Sequence, residues 1–146
     1  GSSVVVPASK KNVVIIGTGG SDSTVFDADG SSRHFTVVQN DSSSLTIRGI
    51  GFVNGSVGHV DLGGSINIMT EGHGTSRIKF IDCIFMKNKT LSTAGGAIYI
   101  EHGSHSYGME PVEFHNSQFY ENFTAANENN SLGGAIFSNR SVNSLC

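Results

Sequence analysis

Tryptophan is absent from this 146-residue chain, proline and cysteine occur twice each, and charged residues make up only 14% of it. Each shortage excludes something. A net charge of -3 with no basic-aromatic cluster removes the electrostatic ground for nucleic acid or an anionic membrane as partner. No apolar run is long enough for a membrane-spanning helix, so direct insertion of this segment in a bilayer is not expected. Two cysteines do not fix a redox compartment. The helix formers Ala, Leu, Glu and Lys give way to Gly, Ser and Asn, a mixture that suits short strands joined by tight turns. There is no signal-peptide pattern. The chain opens at Gly1 without an initiator Met, and reads as a processed chain or as the ordered piece of something longer.

What the chain does have is self-similarity. Phe119-Tyr-Glu-Asn122 followed by Gly133-Gly134-Ala135-Ile136 repeats Phe85-Met-Lys-Asn88 followed by Gly95-Gly96-Ala97-Ile98. A weakened copy is Phe52-Val-Asn54 with Gly63-Gly64-Ser65-Ile66. Two apolar series keep step with the motifs. One begins at Val13, Leu45, Ile78 and Val112, and the other at Val4, Phe35, Ile66, Ile98 and Ile136. A third, shorter series runs through Ile50, Cys83 and Ser117, with Val25-Phe26 as its forerunner. Repetition at a period of about 20–50 residues marks an architecture in which each unit buries its apolar face against its neighbours.

The expected fold is all-β, a right-handed parallel β-helix with three strands per coil and four to five coils. Residues 1–146 then form a single segment, with repeats at 45–76, 78–110 and 112–146. Alternation within each strand directs Val13, Ile15, Leu45, Ile47, Ile78, Phe80, Val112 and Phe114 inward, joined by Phe35, Val37, Ile66, Ile68, Ile98, Ile100 and Ile136. Thr46, Arg48, Lys79, Glu113 and His115 face water, and Lys79 and Glu113 are placed to pair between coils. Val14, Ile16 and Ile81 are outward and apolar, and call for cover or a partner. Gly95-Gly96 and Gly133-Gly134 lead straight into a strand, where a missing Cβ permits positive φ and close approach of adjacent coils.

Phe-x-x-Asn followed by Gly-Gly-Ala-Ile resembles the repeat signature of the polymorphic outer membrane protein family known from chlamydial surface proteins. The resemblance rests on Phe85, Asn88, Gly95 and Gly96, and again on Phe119, Asn122, Gly133 and Gly134. The N-terminal half, with Asn12-Val-Val-Ile-Ile-Gly17 and Ser44 to Phe52, is similar to the wider pectin-lyase-like group of right-handed parallel β-helices. It departs from the motif there, with Asn54 two residues after Phe52 and Ser65 in the slot of Ala97. The resemblance implies a surface-exposed or secreted passenger segment used in adhesion. The motif residues themselves are structural.

Asn88 and Asn122 are placed to stack along a turn, with their side-chain amides bonded to backbone. Both also head N-glycosylation sequons, and a stacked amide is not reachable by glycan. Sequons stand in addition at Asn40, Asn54, Asn129 and Asn139, which are the better candidates. Six sequons exceed what 12 Asn would give by chance. The excess points to a eukaryotic secreted glycoprotein, with a Ser-rich bacterial passenger as the alternative. Cys83 shares the inward parity of Phe85 and reads as a small buried residue. Cys146 lies roughly two coils further on, beyond bonding distance of Cys83. His102, His105, His115 and Glu101 complete no recognised ligand set, and Asp27-Ala-Asp29-Gly30 reads as a strand end rather than a calcium loop. No metal and no cofactor is expected.

A lyase or hydrolase of this architecture needs a cluster of carboxylates on its outer face. The outward columns offer only Glu113. The expected function is therefore a non-enzymatic structural or adhesive segment, at the cell surface or outside the cell, within a filament or appendage glycoprotein. Its partners are other protein chains or cell-surface glycans, with covalent N-glycans of its own. The alternative is a carbohydrate-active enzyme whose catalytic residues lie outside this segment. Replacing Phe119 by Ala is expected to cost about 3–5 kcal/mol, and a change at His105 almost nothing.

Overall fold

The computed structural model describes residues 3–6, 12–39, 43–70, 77–103, 112–125 and 132–140. It is an all-β solenoid in which every strand pairing is parallel. Sheet I contains β1 (Val4–Val6), β4 (Phe35–Gln39), β8 (Ile66–Thr70), β12 (Ile98–His102) and β16 (Ile136–Arg140), stacked in that order. Sheet II stacks β2 (Val13–Ile16), β5 (Ser44–Arg48), β9 (Arg77–Ile81) and β13 (Val112–His115). Sheet III stacks β3 (Val25–Asp27), β6 (Gly51–Val53), β10 (Ile84–Met86) and β14 (Gln118–Tyr120).

Sheet IV, which the repeat pattern does not reveal, consists of the two-residue strands β7 (Ser56–Val57), β11 (Lys89–Thr90) and β15 (Phe123–Thr124). A full coil thus has four strands rather than three. Among the described residues three coils are complete, β4–β7, β8–β11 and β12–β15. The expected four to five is reduced because the opening turn, β1–β3, has no counterpart of β7, and after β15 only β16 follows.

The registers reproduce the sequence alignment. Val13 pairs with Leu45, Leu45 with Ile78, and Ile78 with Val112. Phe35 pairs with Ile66, and Ile66 with Ile98, which pairs with Ile136 despite the longer intervening loop. Inward residues therefore lie over one another in continuous columns. Leu45, Ile47, Ile66, Ile68, Phe80 and Ile98 are completely buried, while Val13, Ile15, Val112, Phe114, Phe119 and Ile136 pack half-buried against them. Burying each large side chain contributes about 1.5–3 kcal/mol. Aromatic columns follow the coil repeat. Phe52 stacks on Phe85 at 5.0 Å, Phe85 on Phe119 at 4.8 Å and Phe80 on Phe114 at 5.2 Å between ring centres, close to the natural spacing of paired strands.

Corners hold the columns in register. Between sheets II and III, Gly49, Asp82 and Asn116 occupy one slot and all adopt positive φ. Their backbones also stack, Gly49 N–H donating to Ile81 O at 2.9 Å and Asp82 N–H to His115 O at 3.0 Å. Gly, Asn and Asp tolerate this left-handed conformation better than other residues. Before sheet I the chain turns again at positive φ, at Gly63, Gly95 and Gly133. The glycine that follows has a separate reason to lack a side chain. A Cβ at Gly96 would lie 2.0 Å from Gly134 O and 2.6 Å from Phe123 O.

Candidate functional site

A cleft of about 640 Å³ lies on the outer face of sheet I. Thr36 and Asn67 are outward residues of the register-matched strands β4 and β8. One wall is the turn carrying Ser31, Ser32 and Arg33, and the other is the segment from Ser56 to Asp61. The walls are joined by an ion pair, Arg33 Nη2 to Asp61 Oδ1 at 2.9 Å, in which the Arg33 side chain is 10% exposed and that of Asp61 57%. Burial pushes the Arg33 pKa down and the neighbouring carboxylate pushes it back up.

The second wall is tied to the next coil, because Thr90 Oγ1 donates to Asp61 O at 2.9 Å and His59 Nδ1 lies 3.1 Å from Leu91 O. Beside the cleft floor Asn67 Oδ1 is buried and accepts no hydrogen bond from the described residues. Such an orphaned acceptor costs about 1–3 kcal/mol. None of Arg33, Asp61 or Asn67 stands out in the sequence. The one signal was a cation and a carboxylate separated by somewhat less than a coil.

Beneath the cleft, His34 is buried, with Nδ1 3.0 Å from Ser65 Oγ and Nε2 3.1 Å from Val53 O. A carbonyl can only accept, so Nε2 carries the proton and Nδ1 accepts from the serine hydroxyl. This explains Ser65 in the slot that Ala97 fills in the next coil. Burial of the ring pushes the His34 pKa down.

The predicted asparagine stack is present between sheets III and IV. Asn88 Nδ2 donates to Asn122 Oδ1 at 2.9 Å and to Phe52 O at 3.0 Å, and Asn88 Oδ1 accepts from Gly55 N–H at 2.8 Å. Asn122 Nδ2 donates to Phe85 O at 2.8 Å. The ladder position in the preceding coil is held by Gly55. Asn54 instead aligns with Lys87 and Glu121, all three at positive φ, and its amide donates to both oxygens of Asp27.

Of the sequons, Asn88 is completely buried, Asn122 and Asn54 are half-buried with their amides engaged, and Asn139 is exposed on β16. Asn40 and Asn129 lie outside the described residues, as do His105 and Cys146. Cys83 is buried and free, with its thiol pushed up by burial. Asp27 ends β3 as expected, Oδ1 accepting from Asp29 N–H at 2.8 Å before the chain turns at Gly30. Hydrogen bonds from Asp29 N–H and Asn54 hold its carboxyl below the usual range.

On sheet II the Lys79–Glu113 pair is formed at 3.1 Å, and His115 Nε2 reaches the same carboxylate oxygen at 2.7 Å. These two partners lower the Glu113 pKa. Arg48 reaches Asp82 at 3.3 Å, and Asn116 Nδ2 donates to the other oxygen of Asp82 at 2.8 Å. His102 lies between Thr70 Oγ1 and Ser138 Oγ, at 3.2 Å from each. Among the described residues no three His, Cys, Asp or Glu side chains are grouped to hold a metal.

Val14 and Ile16 are 59% and 60% exposed, as outward apolar residues. Tyr99, by parity also outward, is only 5% exposed and stacks on Phe137 at 5.7 Å. The glycine turns at Gly63 and Gly95 fold against its backbone.

This geometry, a Phe column, an Asn ladder and a Gly-Gly entrance to the next strand, is what the family comparison matches. Residues 82–101 match the Chlamydia polymorphic membrane protein (Chlamydia_PMP) repeat. The PMP repeat match spans Cys83, Phe85, Asn88, Gly95, Gly96 and Ala97, residues buried in the wall of the solenoid. The repeat positions are thus scaffold positions, and the cleft of Arg33, Asp61 and Asn67 lies outside the matched residues. No characterised protein and no solved structure matches the chain. No helix among the described residues is long and apolar enough to cross a membrane.

Proposed function

We propose that this chain is a stretch of β-helical shaft from a surface-exposed or secreted protein, acting by contact with other protein chains or cell-surface glycans rather than by catalysis. The observation that carries this reading is the use made of four carboxylates among the described residues. Asp27 accepts from Asn54, Asp61 holds Arg33, Asp82 holds Arg48 and Asn116, and Glu113 holds Lys79 and His115. Every one of these contacts joins residues of neighbouring turns or walls except that of His115. A glycosidase needs two carboxyl groups facing one substrate bond about 5–10 Å apart, whereas these four lock the stack. The PMP repeat match supports a surface setting.

The test is direct. Fluorescent beads coated with the purified chain should bind cultured animal cells, and the chain should release no product from pectin, alginate or other uronate polymers. Turnover of any such polymer would overturn the reading. Beads that bind no better than uncoated ones would do the same. Covalent N-glycan is proposed at Asn139 among the described sequons. A mass shift on deglycosylation that falls by one glycan in Asn139→Gln is the expected result.

A further inference from the structure

We propose that the cleft over sheet I is a subsite for one neutral sugar unit of a cell-surface glycan, an inference that rests on the contact-function reading above. Its size falls within the range of small-ligand sites, about 300–1,000 Å³. Its lining is dominated by hydroxyl and amide groups, from Ser31, Ser32, Thr36, Ser56 and Asn67. Such groups both donate and accept, and so suit a ligand that is itself a ring of hydroxyls.

The charge is matched within the cleft. Arg33 offers guanidinium N–H donors beyond the one that reaches Asp61, and the largely exposed Asp61 offers a second carboxylate oxygen. Together they make a donor-acceptor pair of zero net charge, which favours a hydroxyl pair over an anionic group, since an added carboxylate would face Asp61. Both walls are fixed before a ligand arrives, one through the buried Arg33 and the other through Thr90 and His59. The cost of ordering loops on binding is correspondingly small.

Asn67 Oδ1 supplies the point of selectivity. Its amide torsion is soft, and the buried oxygen must turn out into the cleft before a sugar hydroxyl can donate to it. The binding step relieves an unsatisfied acceptor already present in the protein.

Saturation-transfer NMR on the whole chain, with the methyl glycosides of galactose, glucose, N-acetylglucosamine and glucuronic acid as probes, tests this. At least one neutral glycoside is expected to bind at least about tenfold more tightly than the glucuronide, with Asn67→Ala and Asp61→Ala each weakening it by about tenfold. Tyr120→Ala, on the exposed face of sheet III, should leave it unchanged. Thr36→Val carries the same expectation should Asn67→Ala lower the melting temperature. No transfer to any neutral glycoside, preference for the glucuronide, or signal undiminished in the cleft variants would overturn the proposal. Polymer turnover or failed cell binding with intact glycoside binding would instead remove the contact-function reading and leave the subsite standing.

Discussion

Asn88 and Asn122 occupy the same slot in successive coils, 2.9 Å apart from Nδ2 to Oδ1, and between them bond backbone groups of two turns, Phe52 and Gly55 in one and Phe85 in the next. Asn88 is completely buried, so its removal leaves Gly55 N–H without its acceptor and takes the side-chain donor from Phe52 C=O. Asn88→Ala is expected to destabilise by about 1–3 kcal/mol, the cost of orphaning the buried Gly55 N–H. Asn122→Ala, with a half-exposed side chain, should cost less than half as much. Urea denaturation followed by circular dichroism measures both, and equal small losses would remove the ladder as a source of stability.

The ladder cannot be extended one coil back. A Cβ at Gly55 would lie 2.4 Å from Gly64 O and 2.8 Å from Asn88 Oδ1. Backbone has moved into the space a side chain would need, which is why the weakened Phe52 motif carries its Asn one position early.

The aromatic column yields a graded prediction. Phe85 is completely buried between Phe52 and Phe119, and Phe85→Ala should cost about 3–5 kcal/mol. Phe119 ends the described column and is half-buried, so the same change there should fall below that range. The sequence expectation assigned Phe119 the full core cost, because alternation reports which way a residue points and not what lies above it. Thermal melts of the two variants decide the order, and a larger loss at Phe119 would contradict it.

Gly96 and Gly134 look equivalent in the motif and differ in their surroundings. A Cβ at Gly96 meets two carbonyl oxygens of the next coil well inside contact distance, whereas at Gly134 the nearest atom among the described residues is Asn122 O at 3.6 Å. Backbone cannot yield as a flexible side chain can, so Gly96→Ala should abolish the cooperative unfolding transition or lower the stability by about 3–5 kcal/mol. Gly134→Ala should fold with a near-normal midpoint. Similar behaviour of the two would mean that coils approach less closely at Gly96.

Those contrasts show where the sequence was informative. In a parallel stack each residue lies over its counterpart, so register could be read from matching triplets, even across the longer step from Ile98 to Ile136. The strands of sheet IV were not legible because two residues are too few to alternate. The cleft was invisible because Arg33, Asp61 and Asn67 are brought together only when one coil settles on the next.

His34 makes stability depend on pH. The ring is buried and already satisfied in its neutral form by Ser65 Oγ–H and Val53 O, and it packs edge-on to Phe52 at 5.4 Å. Burial, the largest influence, lowers its folded-state pKa below the ordinary 6.5, against opposing contributions from nearby carbonyls and Asp27. Between those two values the unfolded chain binds more protons than the folded one, so stability falls as pH drops below about 6.5 and levels off beneath the folded pKa. The chain holds six histidines, so the measurement is a difference. The drop in urea midpoint from pH 7.5 to 5.5 should be larger in the native chain than in His34→Gln, whose amide can keep one of the two hydrogen bonds without taking up a proton. A drop of equal size in both would show that protonating His34 does not oppose folding.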